Sequence, residues 1–260
     1  MARKLKADPT PQFLPHEQIP SALPIICEPL YLLELAMLRL SPVYYGSGVP
    51  AGDGSAVVVI PGLLCADSLL VELYSWLARI GYRPYFSGMD VVEGCPNRLA
   101  TRLARTITRA YADTGRRVHL IGHSLGGIFA RSAAVRMPDF VSSVITLGTP
   151  FRGLVMHGVV IALAEMARDR IREKDGNLPD VCATSHCTCA FGRSLRRRWP
   201  KKISQTAVYT TEDGLVHWRY CITGIPRADV EVHGTHLGLI FNPVAYTHIA
   251  QRLSERPPAS

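Results

Sequence analysis

Apolar positions along the middle of the chain alternate between two rhythms. Ala56-Val57-Val58-Val59-Ile60 is continuously apolar and mostly β-branched, the pattern of a strand covered on both faces. It runs into Pro61-Gly62-Leu63-Leu64. Helical spacing follows over about Ser68 to Ile80, with Gly81 as a left-handed stop. Arg83-Pro84-Tyr85-Phe86 reads as a strand and Gly88 to Asn97 as a loop. Leu99 to Thr114 is again helical, with Arg102, Arg105 and Arg109 on one side, Leu103, Ile107 and Tyr111 on another, and Gly115 closing it. A buried-strand run begins at Val118, a small-residue helix covers Ile128 to Met137, and Val141 to Leu147 is the next strand. Strand and helix alternate at crossover spacing. The expected fold class is therefore α/β, a mostly parallel central sheet with helices on both faces.

The rhythm is interrupted twice. Residues 1–54 form an N-terminal arm and a helix, running from Ser21 as N-cap towards Leu40 with Ser41-Pro42 as its stop. From Phe151 to Lys202 the alternation breaks. Leu154 to Ile171 reads as one helix, apolar and then charged, and residues 154–202 are expected to be a cap or lid insertion. The sheet resumes with Gln205 to Thr210 and a last strand at about Ala228 to Val232, and a final helix covers roughly Asn242 to Leu253. Residues 55–153 and 203–253 thus make the core, and residues 254–260 a flexible tail.

At 260 residues, 47% hydrophobic and 19% charged, the chain suits one large α/β domain. Leu23 to Leu40 is the nearest thing to a membrane span, but Pro24, Glu28, Pro29, Glu34 and Arg39 interrupt it, so it reads as a buried or interfacial helix. The basic start lacks the apolar core of a secretory signal, which leaves a cytoplasmic location as the expectation. The net charge of +8 is concentrated in Arg193, Arg196, Arg197, Arg198, Lys201 and Lys202 around Trp199. That patch reads as a solvated basic face, with peripheral contact to an anionic membrane as the further option. No nucleic-acid-binding signature accompanies it, so no nucleic-acid partner is expected. Of seven cysteines, Cys27, Cys65 and Cys95 read as small buried residues. Cys182, Cys187 and Cys189 cluster around His186, and Cys221 follows. A disulfide, for instance from this cluster to Cys221, and free thiols are equally open, both ahead of metal, because the spacing is not a common zinc pattern.

The chemistry centres on Gly122-His123-Ser124-Leu125-Gly126, a G-x-S-x-G pentapeptide between a strand and a helix. That order is what a nucleophile elbow requires: a sharp turn lifts the serine above the sheet beside a helix N-terminus. A serine attacks a carbonyl well only when a base takes its proton and a carboxylate orients the base. With Ser124 as nucleophile, the acid belongs just past a late strand, where Asp213 is the first choice and Glu212 the alternate. The base belongs after the final strand, where His236 is first and His233 second. Oxyanion donors are expected from the backbone N–H groups of Leu63 and Leu125.

The motifs Val-Val-Val-Ile-Pro-Gly, Leu-Ile-Gly-His-Ser-Leu-Gly-Gly, Ile-Thr-Leu-Gly-Thr-Pro-Phe-Arg-Gly, Glu-Asp-Gly-Leu-Val and Gly-Thr-His-Leu-Gly, spread over roughly Ser55 to Leu253, resemble the α/β-hydrolase superfamily, and within it lipase/esterase-like bacterial hydrolases. Pro61-Gly62 stands where many lipases carry His-Gly, which leaves a main-chain donor unaffected. The resemblance implies Ser124, Asp213 and His236 as a catalytic triad, and no metal or organic cofactor. The expected function is a serine carboxylic-ester hydrolase working through an acyl-enzyme on an apolar or lipid-like ester. The rivals are an acyltransferase with the same triad and a non-catalytic membrane- or partner-binding protein on the same fold.

Overall fold

The computed structural model describes residues 25–92, 94–153, 158–174 and 187–255. Its centre is a six-stranded sheet of β1 (Ala56–Ile60), β2 (Arg83–Phe86), β3 (Val118–His123), β4 (Val141–Leu147), β5 (Ser204–Tyr209) and β6 (Asp229–Glu231), in the order β2-β1-β3-β4-β5-β6. Every pairing is parallel. Ile60 lies opposite Gly122, and His123 and Val208 both lie opposite Leu147. The loops that leave β1, β3, β4 and β5 therefore emerge together at one edge, where functional loops of an open parallel sheet collect.

Period-two alternation sorts the strand side chains between two cores. Val57, Val59, Ile121, Ile145, Leu147, Val208 and Val230 face one way, against α1 (Tyr31–Leu40), α2 (Val71–Arg79) and α7 (Pro243–Ser254). Ala56, Val58, Ile60, Val118, Leu120 and Val144 face the other, against α3 (Pro96–Thr114), α4 (Leu125–Arg136) and α6 (Ala190–Leu195). On the first face Trp76 and Tyr246 are wholly buried, with ring centroids 4.5 Å apart. Truncating either to alanine would cost about 3–5 kcal/mol.

Local chemistry sets the element ends. Pro96 opens α3, where a missing N–H costs nothing, and Gly115 at φ 63° closes it. Asn242 caps α7, its Oδ1 accepting from Val244 N–H and Ala245 N–H. Four expected helices begin elsewhere, α3 among them at Pro96 rather than Leu99. The first is α1 preceded by a 3-10 turn, Ile25–Leu30, that contains Pro29, whose missing N–H breaks a regular α-helical start; Ser21, its expected cap, lies outside the described residues. The second begins as a 3-10 turn, Asp67–Leu70, before α2, because the Asp67 carboxylate is turned to the Ser87 N–H and hydroxyl and the Gly88 N–H. The helix after Ser124 starts at Leu125 rather than Ile128.

Within 154–202, Gly158–Lys174 is a fifth helix, α5, and α6 packs on the α3/α4 layer through Phe191 against Phe129 and Ser194 Oγ against Ser132 Oγ. The expected arm before residue 21 and the last five residues of the tail lie outside the described residues. So do Cys182 and His186. Among the described residues no two cysteines are bridged, so the disulfide considered for Cys221 does not form with Cys187 or Cys189. Cys221 is instead buried, with Sγ 3.9 Å from the His217 carbonyl. Among the described residues no helix is long and apolar enough to cross a membrane.

Candidate active site

Ser124 sits between β3 and α4 at φ 51°, ψ −123°, a conformation costly for a side-chain-bearing residue and therefore held by its surroundings. Its N–H donates to the Leu147 carbonyl at 2.8 Å and its carbonyl accepts from Gly127 N–H at 3.1 Å. The turn closes only because nearby positions lack side chains. A Cβ on Gly126 would overlap the carbonyls of Ile60 and Pro61, and one on Gly122 would stand 2.5 Å from the Gly126 backbone. Gly62, in the loop after β1, backs the serine: a Cβ there would lie 3.1 Å from Ser124 Cβ.

Asp213 follows β5 and His236 follows β6, and the fold brings the two together in a nearly dry environment. His236 Nδ1 is 2.6 Å from Asp213 Oδ2, with both side chains 2% exposed. The other carboxylate oxygen, Oδ1, accepts from the N–H groups of Leu215 and Val216, each at 2.8 Å. A carboxylate only accepts, so Nδ1 carries the hydrogen and Nε2 is left as the basic nitrogen. Burial opposes charge on His236, but the charge of Asp213, its hydrogen bond and the charge of Glu28 together raise the imidazole above its ordinary 6.5. Gly148, directly after the Leu147 that holds Ser124, lies against the same ring: a Cβ on it would be 3.0 Å from His236 Nδ1.

The alternates pair with one another. His233 Nδ1 is 3.0 Å from Glu212 Oε1, and here the histidine side chain is 88% exposed and the glutamate 39%. The acid and base loops thus carry two His–carboxylate pairs, one buried and one at the surface. Leu63 lies in the loop after β1, tied down by Leu64 N–H to the Val92 carbonyl and Val92 N–H to the Cys65 carbonyl. Leu125 is the first residue of α4. Among the described residues neither the Leu63 nor the Leu125 N–H has a protein acceptor.

Three contributors were not singled out by sequence reasoning. His123 is buried, and its Nε2 donates to the His236 carbonyl at 3.0 Å; burial pushes its imidazole down to about 3, so it is neutral. Glu28 and Glu34, from the N-terminal segment, reach the histidine loop. Glu28 Oε1 accepts from Gly214 N–H and His236 N–H, both at 3.2 Å, and Oε2 from Leu237 N–H at 3.0 Å. Glu34 accepts from Thr235 N–H at 2.9 Å and the Thr235 hydroxyl at 2.7 Å. The signal was a pair of carboxylates inside an apolar run, since a charge placed there must find partners. In the basic patch, Arg197, Arg198 and Lys201 are exposed and Lys202 pairs with Asp139 at 2.5 Å. Trp199 is stacked against Arg131, 4.6 Å from its ring centroid.

The sheet order, the strained serine turn and the loops gathered above it define an α/β-hydrolase fold, and solved structures bear this out. The mature Bacillus licheniformis lipase matches with TM-score 0.52 at 20% identity, over 80% of this chain and 95% of that one. Aspergillus fumigatus lipase B matches with TM-score 0.55 at 17% identity, over 84% and 55%. A soluble variant of Saccharomyces cerevisiae monoglyceride lipase matches with TM-score 0.55 at 12% identity, over 81% and 91%. The family model for the PGAP1-like alpha/beta domain matches residues 97–174, which include the serine turn. A triacylglycerol lipase of Burkholderia plantarii is 32% identical over 126 residues, 45% of this chain and 35% of the relative. One of Pseudarthrobacter phenanthrenivorans is 35% identical over 107 residues, 37% and 33%. The matched part thus spans about a third of the length of each of these relatives. The chain has an α/β-hydrolase fold, and part of it is similar in sequence to triacylglycerol lipases.

Proposed function

We propose that the chain is a serine carboxylic-ester hydrolase acting on apolar, lipid-like esters. The observation that carries this reading is the buried 2.6 Å contact between His236 and Asp213, with the His236 ring 4.9 Å from that of His123, the residue before the strained serine. Ser124 Oγ attacks the ester carbonyl while His236 Nε2 takes its proton, and Asp213 holds the tautomer and balances the imidazolium. The N–H groups of Leu63 and Leu125, which have no protein acceptor among the described residues, receive the oxyanion. The tetrahedral adduct collapses as His236 protonates the departing alcohol. Water, deprotonated by His236, then adds to the acyl-enzyme, and the acid leaves with Ser124 restored. A lipid-like acyl group is supported by the names of the curated relatives and by Ile26, Leu30, Leu33 and Met37. These apolar side chains stand exposed on the segment that touches the His236 loop. Within the 154–202 insertion the cap role is read for α5, because α6 is packed into the α3/α4 layer.

The test is hydrolysis of p-nitrophenyl esters from acetate to palmitate, with Ser124→Ala as control. Turnover that disappears in the control, with preference for longer chains, is expected. Turnover that persists in Ser124→Ala, or a wild-type serine that an active-site phosphonate does not label, would overturn the reading.

A further inference from the structure

We propose that Glu28 is a positioning residue for His236, a carboxylate clamp that fastens the acid loop to the base loop from outside the sheet. The proposal rests on the triad reading above. Its grounds are geometric. One buried carboxylate takes three main-chain N–H groups, of which Gly214 follows Asp213 directly while His236 and Leu237 are the base itself and its neighbour. Oε1 is shared between the two loops, so any shift of one relative to the other stretches a bond to the same oxygen. Charge-assisted bonds of this kind are about twice as strong as neutral ones. Without the carboxylate the buried Gly214 and His236 N–H groups and the part-buried Leu237 N–H lose their acceptor, and an unmade bond of that kind is costly. Glu34 holds the next residue, Thr235, through main chain and hydroxyl, so the N-terminal segment grips the base loop at consecutive positions.

A glutamine cannot replace this carboxylate. Its amide oxygen can serve Oε1 or Oε2, and its NH2 then faces an N–H donor at the other. The change also removes a negative charge from the surroundings of the imidazole. The groups facing that ring are Asp213 from the acid loop, Glu28 from the N-terminal turn and neutral His123 from the end of β3, whose ring centroid lies 4.9 Å away. Farther out, Glu34 binds Thr235 and Glu212 binds Gly234 and His233, while His217 and Cys221 face Asp213. Of the carboxylates, Asp213 and Glu28 are the two that raise His236. Loss of Glu28's charge disfavours the imidazolium and moves its titration to lower pH.

The experiment compares the full chain with Glu28→Gln and Glu28→Asp, with folding checked by circular dichroism. On a p-nitrophenyl ester, Glu28→Gln is expected to lose about tenfold or more in kcat with KM little changed, the pattern of a residue that acts on the chemical step. The acid limb of kcat/KM and the NMR titration of the His236 Nδ1 proton should both move to lower pH. Glu28→Asp keeps the charge on a shorter arm, so its kcat falls while its limb stays at the wild-type position. A folded Glu28→Gln with wild-type kcat and an unmoved limb would overturn the proposal. So would a loss that merely follows thermal stability while the His236 titration stays in place. Should Glu28→Gln fail to fold, Glu28→Asp decides: wild-type kcat overturns the clamp. Failure of the hydrolase reading is separate, because it shows as Ser124-independent turnover in the unaltered chain, while the NMR titration reports on Glu28 regardless.

Discussion

The two His–carboxylate pairs allow a quantitative contrast. In Asp213→Asn, the position now held by Oδ1 accepts two N–H groups, from Leu215 and Val216, so the amide oxygen must stay there. The NH2 then points at His236 Nδ1, 2.6 Å from the present oxygen. A donor facing Nδ1 forces that nitrogen to accept, and the ring hydrogen moves to Nε2. The imidazole keeps its place in the wrong tautomer and has no lone pair for the Ser124 proton. Loss of the correct tautomer at such a site lowers kcat by about 10⁴, or roughly 5 kcal/mol of barrier. Glu212→Gln breaks a pair whose histidine is 88% exposed. Exposed pairs contribute about 0–1 kcal/mol, so kcat should stay within about fivefold of wild type. Both are measured as initial rates on a p-nitrophenyl ester near pH 8, with active sites counted by phosphonate titration. A Glu212→Gln loss larger than that of Asp213→Asn would refute the assignment of Asp213 and His236.

Two further predictions concern the framework. Burial pushes His119 down to about 4 and His123 to about 3, so their neutral forms stabilise the fold fully above the unfolded imidazole value of 6.5 and progressively less as pH falls below it. Between pH 7 and 5.5 each should cost about 1 kcal/mol of unfolding free energy. His236, raised in the fold, opposes them, so the clean readout is the wild-type pH slope minus that of His119→Gln in urea titrations; identical slopes would sink the argument. In the serine turn, Gly126→Ala places a methyl against the Ile60 and Pro61 carbonyls, which cannot yield without moving β1 and the Leu63 loop. The expected loss is at least about 2–3 kcal/mol in stability, together with most activity, read by thermal melts and ester hydrolysis; a wild-type melting temperature would contradict it.

Much of this arrangement is legible in the sequence, because its signals are local. A continuous apolar run marks β1, Gly81 and Gly115 mark helix stops, and the G-x-S-x-G turn lies between a strand and a helix. Chain order leads to the two loops, and Gly214 with the shorter arm of aspartate puts Asp213 ahead of Glu212, with His236 ahead of His233. Their separation is a matter of burial, which a sequence does not carry when four titratable residues share two loops. The Glu28 and Glu34 contacts were hidden for another reason. Their partners are main-chain N–H groups 186 to 209 residues away, and a backbone donor has no residue identity to match. Around Pro29 the reason is simpler, since helical spacing in apolar residues does not reveal that the first turns are 3-10.

The reach of Glu28 also bears on how the molecule comes into being. The Glu28 segment is made well before the groups it grips. At a synthesis rate of 5–20 residues per second, a span of some two hundred residues leaves it waiting roughly 10–40 s before Gly214, His236 and Leu237 exist. During that interval the Glu28 carboxylate has none of its three donors, and the inner face of α1 has no Phe241 or Leu239 to pack on. The nascent chain can form β1 to β4 and the serine turn long before its first helix finds its seat. On the proposed reading, closure of the clamp is a late event in maturation, and ester hydrolysis should trail the appearance of secondary structure.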